Sequence, residues 1–163
     1  MTNYLLAGGG TAGHVNPLLA LADKIKSDSP SHKVFALGTE EGLEKDLVPA
    51  RGYELLTVKR LPFPRRLNSY ALKFPAAFGK AIKHCESLIQ KHQIDVVVGF
   101  GGYASAPAYL AAKRLGVPVV VHEANALPGW ANKLGSKFAA ATGVAFKSTP
   151  IKGAVFVGMP LRS

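Results

Sequence analysis

The chain has 163 residues and a mass of 17.2 kDa, with 48% apolar and 18% charged residues, which excludes disorder and suits one globular domain. A single cysteine, Cys85, excludes an internal disulfide framework and a cysteine-based zinc site, and the apolar runs fall short of the roughly 18 residues that span a bilayer. The net charge of +10 is uneven, with −2 on residues 1–58, +7 on 59–92 and +5 on 93–163, so a basic segment points to a phosphate-rich partner such as nucleic acid, anionic lipid or a phosphorylated substrate.

In chain order, the first predicted strand is Asn3–Ala7. It has no basic region ahead of it and runs into glycines, so it does not read as a signal peptide, and the chain is expected to be a soluble cytoplasmic domain. Gly8-Gly9-Gly10-Thr11-Ala12-Gly13-His14 follows, then a helix over about 16–28 with Pro17 placed in its first turn, where a missing N–H costs nothing. Strand, glycine turn and helix N-terminus together make a nest of backbone N–H groups suited to an anion. Gly8, Gly10 and Gly13 also satisfy G-x-G-x-x-G, which keeps a dinucleotide site open, although the acidic candidates Glu40 and Glu41 sit beyond Gly38-Thr39 and are ill placed for a ribose.

The next elements are a strand over Lys33–Leu37, a helix over about 40–50 and a strand over Tyr53–Val58. Arg60 to Leu67 then mixes apolar and basic residues in a proline-broken loop. The helix over about 75–92 carries a core stripe of Phe74, Phe78, Ala81, Ile82, Cys85, Leu88 and Ile89, with Lys73, Lys80 and Lys91 on another face. This region reads either as a solvated helix with an irregular loop or as a membrane-surface patch whose apolar side chains dip in beside cations. Aromatic residues are not interleaved in an RNA-binding pattern, so nucleic acid is not expected as a partner.

A strand over Asp95–Gly99 leads to a second glycine loop, Gly99-Phe100-Gly101-Gly102-Tyr103, and a helix over about 104–115. One such loop can serve only tight packing; two at neighbouring strand ends form a cradle sized for a diphosphate. Pro118–Val121 is the next strand, and His122-Glu123-Ala124-Asn125 stands directly after it, where a local turn bond and a chemical role are both open. A helix over about 127–138 and strands Ala140–Ala145 and Ala154–Val157 complete the pattern. Continuous β-branched runs and strand–helix alternation predict an α/β fold with a doubly wound, mostly parallel, Rossmann-like sheet. There is no Asp-x-Asp motif, no Walker lysine, no Gly-x-Ser-x-Gly elbow and no metal-ligand spacing among the histidines, so neither a metal nor a cofactor is expected.

Gly8–His14 with Val15-Asn16-Pro17, then Gly101-Gly102-Tyr103, His122-Glu123-Ala124-Asn125 and Gly158-Met159-Pro160-Leu161-Arg162, in this order, resemble the peptidoglycan N-acetylglucosaminyltransferase (MurG) family of GT-B fold. The resemblance covers essentially the whole chain but only the family's N-terminal half. It implies that residues 1–163 form an acceptor-binding domain and that a C-terminal donor-binding domain is missing from this chain. The implied reaction transfers N-acetylglucosamine from UDP-GlcNAc to lipid I, giving lipid II at the cytoplasmic face of the membrane, with inversion and without a metal motif. The resemblance assigns the acceptor diphosphate to Gly9, Gly10, Gly13, His14, Gly101, Gly102, Tyr103 and His122, and the donor to Thr11, Ala12, Gly13, Asn125 and Arg162. It assigns the anionic membrane surface to Leu61, Phe63, Arg65, Arg66, Leu67, Lys73 and Lys80. Two departures stand out: Ala12 where the family usually has glycine, and Met159 where asparagine is common.

Inverting transfer requires a base for the acceptor hydroxyl and charge stabilisation on the departing UDP. His14 is the first candidate base, because a histidine ordinarily titrates near neutrality, and Glu123 is the second, or the group that orients a histidine. The isolated chain is therefore expected to bind acceptor and membrane yet transfer nothing. The competing readings are an NAD(P)-dependent oxidoreductase domain built on the first glycine loop and a non-catalytic membrane adaptor built on residues 59–80.

Overall fold

The computed structural model describes residues 1–161; Arg162, expected at the donor, lies outside the described residues. The elements are β1 (Asn3–Ala7), α1 (Ala12–Asp28), β2 (Lys33–Gly38), α2 (Glu44–Ala50), β3 (Glu54–Thr57) and α3 (Ser69–Lys91). They continue with β4 (Val96–Gly99), α4 (Ser105–Leu115), β5 (Val119–Glu123), α5 (Trp130–Ser136), β6 (Ala141–Val144) and β7 (Val155–Phe156). The strands form one sheet in the order β3-β2-β1-β4-β5-β6-β7, and every neighbouring pair is parallel. The doubly wound expectation holds.

The continuous apolar runs are explained by burial on both faces. Leu5 and Val97 face a core built with α3 and α4, including Cys85 and Tyr109, whereas Leu6 and Val98 face a second core built with α1, including Val15, Leu18 and Leu19. The strand order reverses between β1 and β4, which pair with Ala7 opposite Gly99. Their connections leave toward opposite faces, so both glycine loops meet at the carboxyl edge of the sheet, where a crevice must open.

Two prolines mislead the sequence reading of helix boundaries. α1 begins at Ala12, ahead of the expected 16, so Pro17 stands inside the helix and the Gly13 carbonyl forgoes its usual i+4 donor. α3 begins at Ser69 because Asn68 caps it, its side chain accepting from the Ala71 N–H at 3.0 Å, and Pro75 is carried within. β5 runs on through His122 and Glu123, so these two residues are strand residues and not the turn after it.

Candidate functional site

The crevice at the strand reversal is a cleft of about 960 Å³, walled by Gly9, Gly10, Thr11 and His14 on one side and Gly101, Gly102 and Tyr103 on the other. Its shape rests on close backbone approach. Gly10, Gly101 and Gly102 all have positive φ (86°, 100° and 85°), and a β-carbon on Gly102 would stand 2.6 Å from the Gly9 carbonyl oxygen. The two loops therefore touch, and no other residue fits the contact.

Not every loop amide faces a ligand. The Gly10 N–H donates to Glu44 Oε2 at 2.9 Å, and the Thr39 N–H and hydroxyl donate to Glu44 Oε1 at 2.7 and 3.0 Å. Glu44 is buried in a socket that β-carbons on Gly9, Gly38 or Gly42 would fill. The Gly101 N–H donates to Ser105 Oγ at 3.1 Å, and that hydroxyl lies 3.0 and 2.8 Å from the carbonyls of Ala7 and Gly101. Gly10 and Gly101 thus shape the cleft but do not offer their amides to it, which corrects the expectation for these two glycines as amide donors to the diphosphate. The open donors are the Ala12 and Gly13 N–H groups in the first turn of α1, because N-cap Thr11 makes no side-chain cap bond, whereas the His14 and Val15 N–H groups donate to the Thr11 carbonyl at 3.1 Å. Ala12 and Gly13 are exposed in that turn.

His14 sits between the loops. Its Nδ1 lies 3.0 Å from the Gly9 carbonyl oxygen, which can only accept, so Nδ1 donates there, and Thr11 Oγ1 lies 3.3 Å from the same nitrogen. Nε2 points to the second loop, since a β-carbon on Gly101 would stand 3.1 Å from it. A histidine anchored through Nδ1 to a backbone carbonyl, with Nε2 opening into a cleft, presents Nε2 for proton exchange there.

Glu123 is arranged otherwise. Its Oε1 accepts from the Asn125 N–H and side-chain amide at 2.8 and 2.9 Å, and its Oε2 accepts from Gly129 N–H and Asn132 Nδ2 at 3.1 and 3.0 Å. Four donors saturate a carboxylate that is 1% exposed, and neither His14 nor His122 is among them. Glu123 orders the 124–129 loop and holds the Asn125 side chain, and no histidine side chain is among its partners. Asn132 is itself fixed, because Tyr109 Oη donates to its Oδ1 at 2.8 Å and its Nδ2 also reaches the His122 carbonyl. Burial pushes the Tyr109 hydroxyl far above its ordinary pKa, so it remains a donor. His122 is buried and outside the cleft wall; its Nε2 donates to the Gly158 carbonyl at 2.9 Å, tying β5 to the segment that follows β7.

The basic stretch divides. Leu61 is buried, so it is not part of a membrane-facing surface. Phe63 is half-exposed and packs on Phe74 and Trp130, and Phe74 stacks on Phe78, so this loop is held to α3 and α5 by aromatic contacts. Leu67 and Leu72 are almost fully exposed beside Arg65, Arg66 and Lys73, all of them solvent-facing. Lys73 and Lys80 rim a separate groove of about 640 Å³ floored by Ala76, Ala77 and Ala81. Arg60 turns into the cleft, which Arg65 also lines. The Arg60 guanidinium lies 4.9 Å from the Tyr103 ring centroid and 3.6 Å from Glu41 Oε2. An exposed ion pair contributes about 0–1 kcal/mol and an exposed cation–π contact about 0.5–1 kcal/mol, so neither partner holds Arg60 firmly.

Sequence reasoning passed over Glu44, Ser105, Tyr109 and Asn132, and it placed Arg60 in the basic membrane-surface stretch, not in the cleft that it lines. The only signal for Glu44 was a carboxylate among Gly38, Gly42 and the first glycine loop, and for Ser105 its place at the start of the helix after the second loop. Among the described residues, no group of three or more His, Cys, Asp and Glu side chains is placed to hold a metal ion, and no helix is long and apolar enough to cross a membrane.

Residues 4–144 match the glycosyltransferase family 28 N-terminal domain. A UDP-N-acetylglucosamine–N-acetylmuramyl-(pentapeptide) pyrophosphoryl-undecaprenol N-acetylglucosamine transferase of Clavibacter sepedonicus is 62% identical over 99% of this chain, and its counterpart in Leifsonia xyli subsp. xyli is 58% identical. The chain spans about half the length of these curated relatives, 44% and 45% respectively. The crystal structure of Acinetobacter baumannii MurG superposes with a TM-score of 0.84 at 28% identity, over 98% of this chain and 46% of that one.

Proposed function

The chain belongs to the glycosyltransferase family 28 N-terminal domain family, and from that membership we propose that it is the acceptor-side half of an inverting N-acetylglucosaminyltransferase that converts lipid I to lipid II in peptidoglycan synthesis. The relatives' names supply the reaction, and a second, donor-binding half would complete it. The observation that carries the reading is His14, whose free Nε2 opens into the cleft between the two glycine loops. In this reading the acceptor's diphosphate lies along the first turn of α1 and the loop at Gly102 and Tyr103. His14 takes the proton from the acceptor hydroxyl as that oxygen attacks the anomeric carbon of the donor sugar, and UDP leaves with the bonding pair. Thr11, Ala12 and Asn125 face the donor, with Asn125 steadied by Glu123. Leu67 and Leu72, ringed by Arg65, Arg66 and Lys73, rest on the cytoplasmic face of the membrane as a peripheral contact.

The oxidoreductase reading is not favoured, because the family model that matches residues 4–144 is that of a glycosyltransferase domain. A fusion of this chain to the remaining half of the Clavibacter sepedonicus relative provides the test. Transfer from UDP-GlcNAc should fall by about 10²–10⁴-fold in His14→Gln with the KM for acceptor little changed, as expected for a lost base. Full activity of that variant would remove His14 from the chemistry.

A further inference from the structure

Building on the acceptor-binding reading, we infer that Arg60 is the cation that grips the acceptor's diphosphate, and that it reaches the phosphates by exchanging Glu41 for them while it stays stacked on Tyr103. The glycine loops leave this task to a side chain. Two of the amides expected to meet the anion are taken, Gly10 by Glu44 and Gly101 by Ser105. Buried Glu44 lies against the first loop and buried Glu123 lines the same cleft, so a diphosphate there meets two carboxylates as well as the backbone dipoles. Two cations line the cleft, Arg60 and Arg65. Of these, Arg60 lies over the Tyr103 ring, opposite the first loop, and a planar guanidinium there can fork onto two phosphate oxygens. Its carboxylate partner is well exposed, with Glu41 at 69% and Arg60 at 46% exposure, and such a pair exchanges readily for a doubly charged anion. Tyr103 then has two duties: its backbone closes the second loop, and its ring fixes the plane of the guanidinium.

The test is an NMR titration of the chain with inorganic pyrophosphate, with UDP and a water-soluble short-chain prenyl diphosphate as parallel arms. Wild type should bind pyrophosphate and the prenyl diphosphate with amide shifts at Thr11–His14 and Gly102–Tyr103, more tightly than UDP. Arg60→Ala should weaken both by at least about tenfold, and Arg60→Lys should fall between, because an ammonium cannot fork. Glu41→Gln should tighten both by about two- to threefold, a gain that a merely structural contact would not give. Lys152→Ala, which removes a surface charge remote from the cleft, should leave both unchanged. Binding by wild type with an equal affinity in Arg60→Ala would overturn the assignment of Arg60 alone. Tighter binding of UDP, lost in Arg60→Ala, would move the residue to the donor. No binding of either diphosphate by wild type would overturn the acceptor reading and this inference with it.

Discussion

Glu123 shows how a residue's partners decide its role. A carboxylate with four donors on its two oxygens is directed inward, so its work is to fix Asn125, Gly129 and Asn132 in place. Glu123→Gln puts an NH2 where donors already point, and it should destabilise the chain by about 2 kcal/mol, read as a shift in urea midpoint without a change in slope. An unchanged midpoint would mean that the carboxylate is not the organiser described here. At this scale the sequence was a partial guide. His14, Gly102 and Tyr103 were legible because a glycine loop at a strand end advertises itself. Glu44 and Ser105 were not, because their significance lies in contacts with the first glycine loop and with β1 that only the folded chain creates. Leu61 was misjudged for the same reason: an apolar residue in a basic loop has no sequence mark that separates a membrane contact from a core one.

Among the elements, α3 gives the clearest test of packing. Its stripe of Phe74, Ala81, Ile82, Cys85 and Ile89 is buried as the three-and-four spacing demands. Burial pushes the Cys85 thiol from 9.0 up to about 12, with the Glu86 carboxylate adding to the rise. Because the folded value is raised, the unfolded chain releases its proton first as pH increases. The neutral thiol's contribution is therefore complete below pH 9.0 and is lost as pH climbs toward about 12. The stability difference between wild type and Cys85→Ala should shrink across that window, followed by urea melts at several pH values, and a thiol reagent at pH 8 should label native Cys85 only as fast as the chain unfolds. Rapid labelling of the native protein would contradict the packing of α3. The strands were legible because both faces of a parallel sheet demand apolar runs. The helix starts were not, because Pro17 and Pro75 suggested boundaries where Thr11 and Asn68 in fact begin the helices.

The whole molecule joins these parts at one edge. Strand order reverses between β1 and β4, both glycine loops end there, and the basic loop after β3 sends Arg60 over one wall while Leu67 faces outward. The excess of cations on residues 59–92 thereby serves two surfaces, a cleft and an exposed apolar patch, which a count along the chain could not separate. The fold was readable from the sequence as a whole, whereas the division of labour within the basic segment depends on the aromatic contacts of Phe63 with Phe74 and Trp130. In the proposed reaction this cleft receives a lipid-linked diphosphate sugar, and a titration of the chain with a soluble lipid I analogue, with NADH in parallel, reads that binding through the backbone amides by NMR. Saturable shifts at Thr11–His14 and at Gly102 and Tyr103 are expected with the analogue and none with NADH. Shifts with NADH at the first loop, or an analogue that leaves both loops unmoved, would contradict the proposed binding.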